Sequence, residues 1–111
     1  MIIKYHPRYL KAILDRAKMD GVFGGLLNAL EIIIRKKPEL TYIALDEIGK
    51  FKAFITYAEL PNKTVYCLHW SSKEVKYGCS VLRHSIKDLG KTYDEAYYHR
   101  KDREEIIRRR L

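Results

Sequence analysis

The sequence has 111 residues, enough for one domain that buries its own core without metal or disulfide staples. Its hydrophobic fraction of 47% excludes a disordered main body, and 32% of its residues are charged. The formal net charge is +8, and such a field attracts polyanions such as nucleic acid or an anionic membrane surface.

Several negative features narrow the class of protein. Cys67 and Cys79 are too few and too isolated for a disulfide scaffold or a zinc site, which favours a reducing compartment. The stretch 1–9 is too mixed for a leader, and the apolar stretch 22–34 is too short for a membrane span. We therefore expect a cytoplasmic protein with no membrane partner. The absence of glutamine and the rarity of asparagine are typical of hyperthermophile proteins.

The first third of the chain predicts two helices. Pro7 suits the first turn of a helix that runs to about Lys18, and Asp20-Gly21 marks a turn. A second helix carries apolar residues at helical spacing from Val22 to Ile34 and ends before Pro38.

The middle third predicts three strands. Residues 42–45, 51–58 and 64–70 are rich in β-formers, and the turn signals Gly49 and Pro61-Asn62 separate them by short connections. Short connections favour an antiparallel meander. On the third strand, His69 alternates with Cys67, which predicts one shared face and a structural role for the histidine; Trp70 is expected in the core.

The last third predicts two further helices. Ser71 and Glu74 have capping-box spacing before an apolar face that extends from Val75 to Leu89, although Gly78 interrupts it. Thr92 and Glu95 repeat that spacing and predict a polar helix over about 92–111, free to protrude. The predicted fold is α+β, a three-stranded antiparallel sheet packed by helices in the order α-α-β-β-β-α-α, within a single domain over 1–111.

One segment links this layout to a known family. The run Ser72-Lys73-Glu74-Val75-Lys76 opens the third predicted helix, and it resembles the basic run of the double-stranded-RNA-binding domain. That resemblance covers roughly residues 26–89 and implies an α-β-β-β-α core whose lysines contact phosphates across the major groove. Glu74 departs from the family's pattern, which has a lysine there.

The main functional prediction is accordingly a nucleic-acid-binding accessory protein that contacts phosphates and prefers duplex RNA, with no cofactor, metal or catalytic residue assigned. The sequence does not determine whether the ligand is RNA or DNA, and it does not determine the oligomeric state. Basic side chains near the predicted helix starts and in the C-terminal segment are the expected phosphate contacts. These are Lys50, Lys73, Lys76, Arg83, Arg100, Lys101, Arg103, Arg108, Arg109 and Arg110.

Two other classes of function remain open. The element order, with a helix begun by 75–78, is similar to small GNAT acetyltransferases, which implies a cofactor pyrophosphate at that helix N-terminus; Gly78 matches their glycine signature and Ser80 does not. The second enzyme hypothesis is a nuclease. It would be metal-dependent through Asp46 and Glu74-x-Lys76, or similar to RNA-cleaving toxins with His84 or His99 as the general base. The third class is an assembly subunit that binds a protein partner.

Overall fold

The computed structural model describes residues 1–99 and 105–111. In chain order the helices and strands are β1 (Ile2–Lys4), α1 (Leu10–Met19), α2 (Gly24–Lys36), β2 (Thr41–Leu45), β3 (Phe51–Leu60), β4 (Thr64–Ser72), α3 (Val75–Leu89), β5 (Glu95–His99) and β6 (Ile106–Arg110). Short 3₁₀ turns, each begun by a proline, precede α1 and β2. In the part of the chain described here, no helix is long and apolar enough to cross a membrane.

The six strands form one mixed sheet in sequence order, β1-β2-β3-β4-β5-β6. Every neighbouring pair is antiparallel except β4 and β5, which are parallel. A parallel pair needs a long crossover, and α3 supplies it. The alternation of strand directions therefore stops between β4 and β5, and the crossover helix α3 begins just after β4 ends.

Helices cover both faces of the sheet, because successive strand residues point to opposite sides. On one face α1 and α2 bury Ile13 and Ile34 against Ile43 and Phe54. On the other face α3 packs on a second cluster, built around Tyr42, Ile55, Val65 and Val81 among others. The chain thus has two hydrophobic layers, one on each side of a shared sheet.

The predicted three-stranded antiparallel sheet with four helices is wrong. Strands β1, β5 and β6 were missed, and β5 and β6 occupy the segment predicted as the last helix. The capping-box spacing there is overridden by tertiary pairing: Ala96 is buried opposite Val65, and Arg110 pairs in register with Glu95. Three residues of β1 are too few to show a periodicity, yet Ile2 pairs with Ala44.

The resemblance to a double-stranded-RNA-binding domain is also wrong. That domain has three antiparallel strands, whereas this sheet has six strands and a parallel pair, with two helices on the face opposite α3. The basic run that carried the resemblance does not open a helix as predicted, because β4 continues to Ser72 and α3 begins at Val75 after Glu74.

Gly78 lies inside the first turns of α3 and has a packing role there. A Cβ atom at this position would sit 3.0 Å from both Cβ and Oγ of Ser72. The indole Nε1 of Trp70 donates a hydrogen bond to the Gly78 carbonyl oxygen over 3.0 Å. Glycine therefore lets α3 approach the end of β4 closely, which compensates for its low helix propensity.

Candidate functional site

A β-bulge at Leu68 sets the geometry of the site. Thr56 on β3 is opposite His69, and Tyr57 is opposite Cys67, so Leu68 is an extra residue in β4. A bulge bends its strand and changes which face the following side chains point to. Cys67 packs into the α3-side cluster, whereas the His69 ring contacts Phe54 on the α1–α2 face, with ring centroids 5.5 Å apart. The prediction that the two share a face is therefore wrong.

The bulge coincides with the point where β4 and β5 part. Their parallel pairing extends from Thr64 with Glu95 to Tyr66 with Tyr97 and stops there. β4 nevertheless continues to Ser72, paired only with β3 in that part. The edge of β4 from Cys67 to Ser72 consequently has backbone groups that no strand of the described chain pairs. An extended ligand with amide groups can complete such an edge.

The N-terminus of α3 lies at the end of this open edge. Its N-cap residue, Glu74, makes no side-chain capping hydrogen bond, so the first backbone N–H groups of the helix are left without a cap. Lys73 and Lys76 are both exposed beside them. Uncapped N–H groups, the positive end of the helix dipole and two ammonium groups together favour a phosphate.

A cleft of about 780 Å³ connects these features. One wall is the flank of α3 formed by Val75, Cys79, Leu82 and Ile86, at helical spacing along the helix. The sequence predicted that these residues face the core, but the core face of α3 is Gly78, Val81, Ser85 and Leu89. Val75 is 81% exposed. The wall is therefore apolar surface left open to the cleft.

Polar and aromatic groups lie on the remaining walls. Trp70 is 40% exposed and forms part of the cleft rather than the core that was predicted for it. Asp20 and His69 also line the cleft, with 2.8 Å between Asp20 Oδ2 and His69 Nε2. The cleft thus joins an apolar channel, a phosphate-attracting helix end and a histidine–carboxylate pair.

The two carboxylates assigned to a metal-dependent nuclease lie on either side of one lysine. Lys52 Nζ lies 3.2 Å from Glu74 Oε1 and 3.9 Å from Asp46 Oδ2. The hydrogen bond to Glu74 raises the pKa of Lys52 despite partial burial. Within residues 1–99 and 105–111, no group of three His, Cys, Asp or Glu side chains could hold a metal ion.

The predicted phosphate contacts do not form one surface group. Lys73 and Arg109 line the cleft, with Lys76 on the adjoining turn of α3. Lys50 lies in the β2–β3 turn and Arg83 on the exposed side of α3, while Arg108 and Arg110 lie on β6. The remaining three, Arg100, Lys101 and Arg103, lie outside the described residues.

Three residues that shape the site were not identified from the sequence: Asp20, Leu68 and, in its actual role, His69. Asp20 was treated only as a turn residue, and no local pattern marks the bulge at Leu68. Their proximity depends on how α1 packs across β4, and 49 residues separate Asp20 from His69 in sequence. An aspartate-glycine turn alone carries no sign of such a partner.

Comparison with known proteins identifies the fold. No family model matches this sequence, and no curated protein matches it. Among solved structures, the chain is similar to Ard1 from Thermoplasma volcanium, with a TM-score of 0.77 and 14% identity over 95% of this chain and 74% of that one. It is also similar to a component of the NatC complex bound to Gag peptide and CoA, with a TM-score of 0.72 and 15% identity over 88% of this chain and 70% of that one.

A third similar structure is Rv2747 from Mycobacterium tuberculosis in complex with CoA, with a TM-score of 0.68 and 10% identity over 88% of this chain. This chain spans 63% of Rv2747, and it spans only 37% of a longer match from Pyrococcus horikoshii. At these identities the likeness establishes the fold alone, which is that of the GNAT acetyltransferases.

The fold overturns the main functional prediction. Several similar structures are named as acetyltransferases, and others contain CoA or acetyl-CoA, so nucleic-acid binding and nucleic acid as the partner are not supported. The net charge led to a wrong functional prediction because it describes the whole surface. The candidate site instead depends on the point at which β4 and β5 separate. The acetyltransferase alternative agrees with the structure better than the main prediction does.

Proposed function

We propose that this protein binds acetyl-CoA and transfers its acetyl group to an amine. The observation that carries the proposal is the open edge of β4 from Cys67 to Ser72, created where its pairing with β5 stops and leading directly to the uncapped N-terminus of α3. An extended pantetheine arm suits that edge because it presents amide groups to unpaired strand backbone. The pyrophosphate suits the helix end.

The residues at the helix end fit a CoA pyrophosphate. Lys73 and Lys76 add positive charge beside free N–H groups, and Gly78 keeps α3 close to β4 so that these groups face the cleft. Ser80, which departs from the GNAT glycine signature, is partly buried on the same helix. When bound, acetyl-CoA supplies a thioester whose carbonyl carbon accepts a nucleophile. The apolar flank of α3 excludes water from the arm that carries it.

Calorimetric titration with CoA and acetyl-CoA tests the proposal. We expect a dissociation constant in the micromolar range for the full chain and a weaker affinity for Lys73→Ala/Lys76→Ala, by about tenfold if the two ammonium groups contribute roughly 1.4 kcal/mol. The matched control is Lys36→Ala/Lys87→Ala, which removes two exposed charges at the ends of α2 and α3. This control should bind like the wild type.

The activity is measured as CoA release from acetyl-CoA in the presence of a peptide with a free N-terminal amine. Acetylation of the peptide, confirmed by mass, is the expected result. Absence of CoA binding at millimolar concentration would overturn the proposal. Equal weakening by both double variants would show that charge acts only at long range and that the helix end is not the phosphate site.

A further inference from the structure

The Asp20–His69 pair is built with more constraint than a surface ion pair. His69 follows the Leu68 bulge on β4, and Asp20 is the C-cap residue of α1, its backbone N–H bonded to the carbonyls of Ala17 and Lys18. Their side chains are only 20% and 22% exposed, and both line the cleft. Two separate elements thus hold the two groups at 2.8 Å.

The surroundings fix how the pair shares its proton. Burial raises the pKa of Asp20, but the nearby Ser71 side chain, the hydrogen bond with His69 and the positive charge of Arg16 outweigh burial and lower it. An ionised Asp20 accepts a hydrogen bond from Nε2, so in the neutral imidazole the lone pair lies on Nδ1. Within residues 1–99 and 105–111, no hydrogen-bond partner contacts His69 Nδ1.

The neighbours of the ring hold it in place without competing for the proton. Arg16 Nη2 lies 3.4 Å from the other carboxylate oxygen of Asp20, which leaves Oδ2 for the histidine. On the β3 side the ring meets Phe54 and pairs in register with Thr56, neither of which is charged. Asp20 is the charged group in contact with His69, and Arg16 contacts Asp20 in turn. Two further charged side chains, Lys73 and Arg109, line the same cleft.

We propose that His69 Nδ1 is the proton acceptor of the transfer reaction and that Asp20 is its positioning residue. This inference rests on the proposed function. The nitrogen of the substrate amine forms a new C–N bond to the acetyl carbon. As it does so, the amine proton moves to His69 Nδ1 and the C–S bond of the thioester breaks. The electron pair of that bond leaves on the CoA sulfur, which is protonated by the imidazolium, and His69 returns to its neutral form. The acceptor class is a primary amine.

Two other groups in the cleft, Cys67 and His99, do not suit this role. Burial raises the pKa of the Cys67 thiol to about 12, although the His69 backbone opposes this, so a Cys67 thiolate is not available to carry an acetyl group. His99 also lines the cleft, but its ring packs on Tyr66 at 5.6 Å and makes no ion pair with a described carboxylate. His84, which lies outside the cleft, is the matched control for His69.

The test compares the wild type with His69→Gln, Asp20→Asn and His84→Gln, and calorimetry with CoA comes first. We expect all four to bind CoA within about twofold. With acetyl-CoA and an amine-bearing peptide, His69→Gln should lose about 100-fold or more in transfer rate, the usual range for a general base. His84→Gln, outside the cleft, should keep the wild-type rate. Transfer at the wild-type rate by His69→Gln would overturn the proposal.

The pH profile separates a positioning role of Asp20 from a structural one. The acid limb of kcat, measured at saturating peptide so that the free amine does not set it, should vanish in His69→Gln. In Asp20→Asn it should move to lower pH, because the imidazolium loses the neighbouring negative charge that stabilises it. An unmoved limb in Asp20→Asn would remove the positioning role.

A chemical readout does not depend on turnover. Diethyl pyrocarbonate acylates neutral histidines, and peptide mass mapping reports each site. Saturating CoA should slow labelling of His69 severalfold and leave His84 unchanged, because His84 contacts Tyr42 on the far side of α3 from the cleft. Equal labelling of His69 with and without CoA would overturn the proposal. Loss of CoA binding in the wild type would instead remove the proposed function, and calorimetry reports that outcome separately.

Discussion

The buried hydrogen bond between Tyr57 and Ser85 gives a quantitative test of how α3 is held on the sheet. Tyr57 Oη and Ser85 Oγ are 2.7 Å apart, with Tyr57 3% and Ser85 0% exposed. Ser85 Oγ also donates to the Leu82 carbonyl oxygen over 2.8 Å, and a carbonyl can only accept. The single Ser85 proton is therefore committed to Leu82, so Tyr57 must donate to Ser85. Burial raises the pKa of Tyr57 and keeps that proton in place.

The direction of the bond determines the cost of each substitution. Ser85→Ala leaves a buried tyrosine hydroxyl without an acceptor, which costs about 1–3 kcal/mol. Tyr57→Phe leaves Ser85 with its bond to Leu82 and should cost about 1 kcal/mol. The double variant removes both polar groups, so we expect it to be no less stable than Ser85→Ala alone. For a chain of this size, 1 kcal/mol corresponds to roughly 4 °C in Tm.

Urea and thermal denaturation of the wild type, the two single variants and the double variant measure this double-mutant cycle. Ser80→Ala, on the same helix, is the control for helix propensity. We expect Ser85→Ala to lower Tm by roughly 4–12 °C on the same conversion and Ser80→Ala to leave it unchanged or slightly raised. Strictly additive losses in the double variant, or equal effects of Ser85→Ala and Ser80→Ala, would refute the assigned donor and acceptor.

Three further predictions concern the cleft and the sheet. Gly78→Val should lower the free energy of unfolding by about 1–3 kcal/mol in urea denaturation, because its Cβ meets β4 at 3.0 Å; Gly25→Val, where a Cβ meets nothing, should not incur this packing penalty. Cys79→Trp should weaken CoA binding in calorimetry at unchanged Tm, because it fills the cleft from an exposed position; unchanged affinity would place the ligand elsewhere. The hydrogen bond from Tyr42 lowers the pKa of Asp88 below 3.8; partial burial opposes this effect and the charge of Lys4 adds to it. The contribution of ionised Asp88 to stability is therefore complete above about pH 3.8 and is lost as pH falls through the lowered pKa. In a pH series of denaturation curves, Asp88→Asn should lose less of its free energy of unfolding at acid pH than the wild type does. The same pH dependence in both proteins would contradict this prediction.

The parts of the fold that local patterns determine were predictable. The boundary of α2 follows from Pro38, and the meander of β2, β3 and β4 follows from β-formers separated by turn residues. The C-terminal strands were not predictable in this way. The residues around Ala96 have the spacing of a helix cap, and their strand conformation depends on pairing with β4, which is distant in sequence.

The site was less predictable than the fold, because it depends on irregularities. The bulge at Leu68 reverses the face of His69, and a strict two-residue period placed that side chain wrongly. On α3 the apolar stripe that begins at Val75 suggested a core face, yet small residues such as Gly78 and Ser85 face the sheet because the helix approaches it closely. Helical periodicity identifies an apolar face without telling whether protein or ligand covers it.

The central claim is that the open edge of β4 and the start of α3 bind CoA, and backbone amide NMR of the ¹⁵N-labelled chain tests it most directly. On titration with CoA, we predict that the amides of residues 67–72 and 75–78 shift and exchange more slowly with solvent. The amides of β1, at the opposite edge of the sheet, should be unchanged. Perturbations confined to other residues, or none at saturating CoA, would contradict the account.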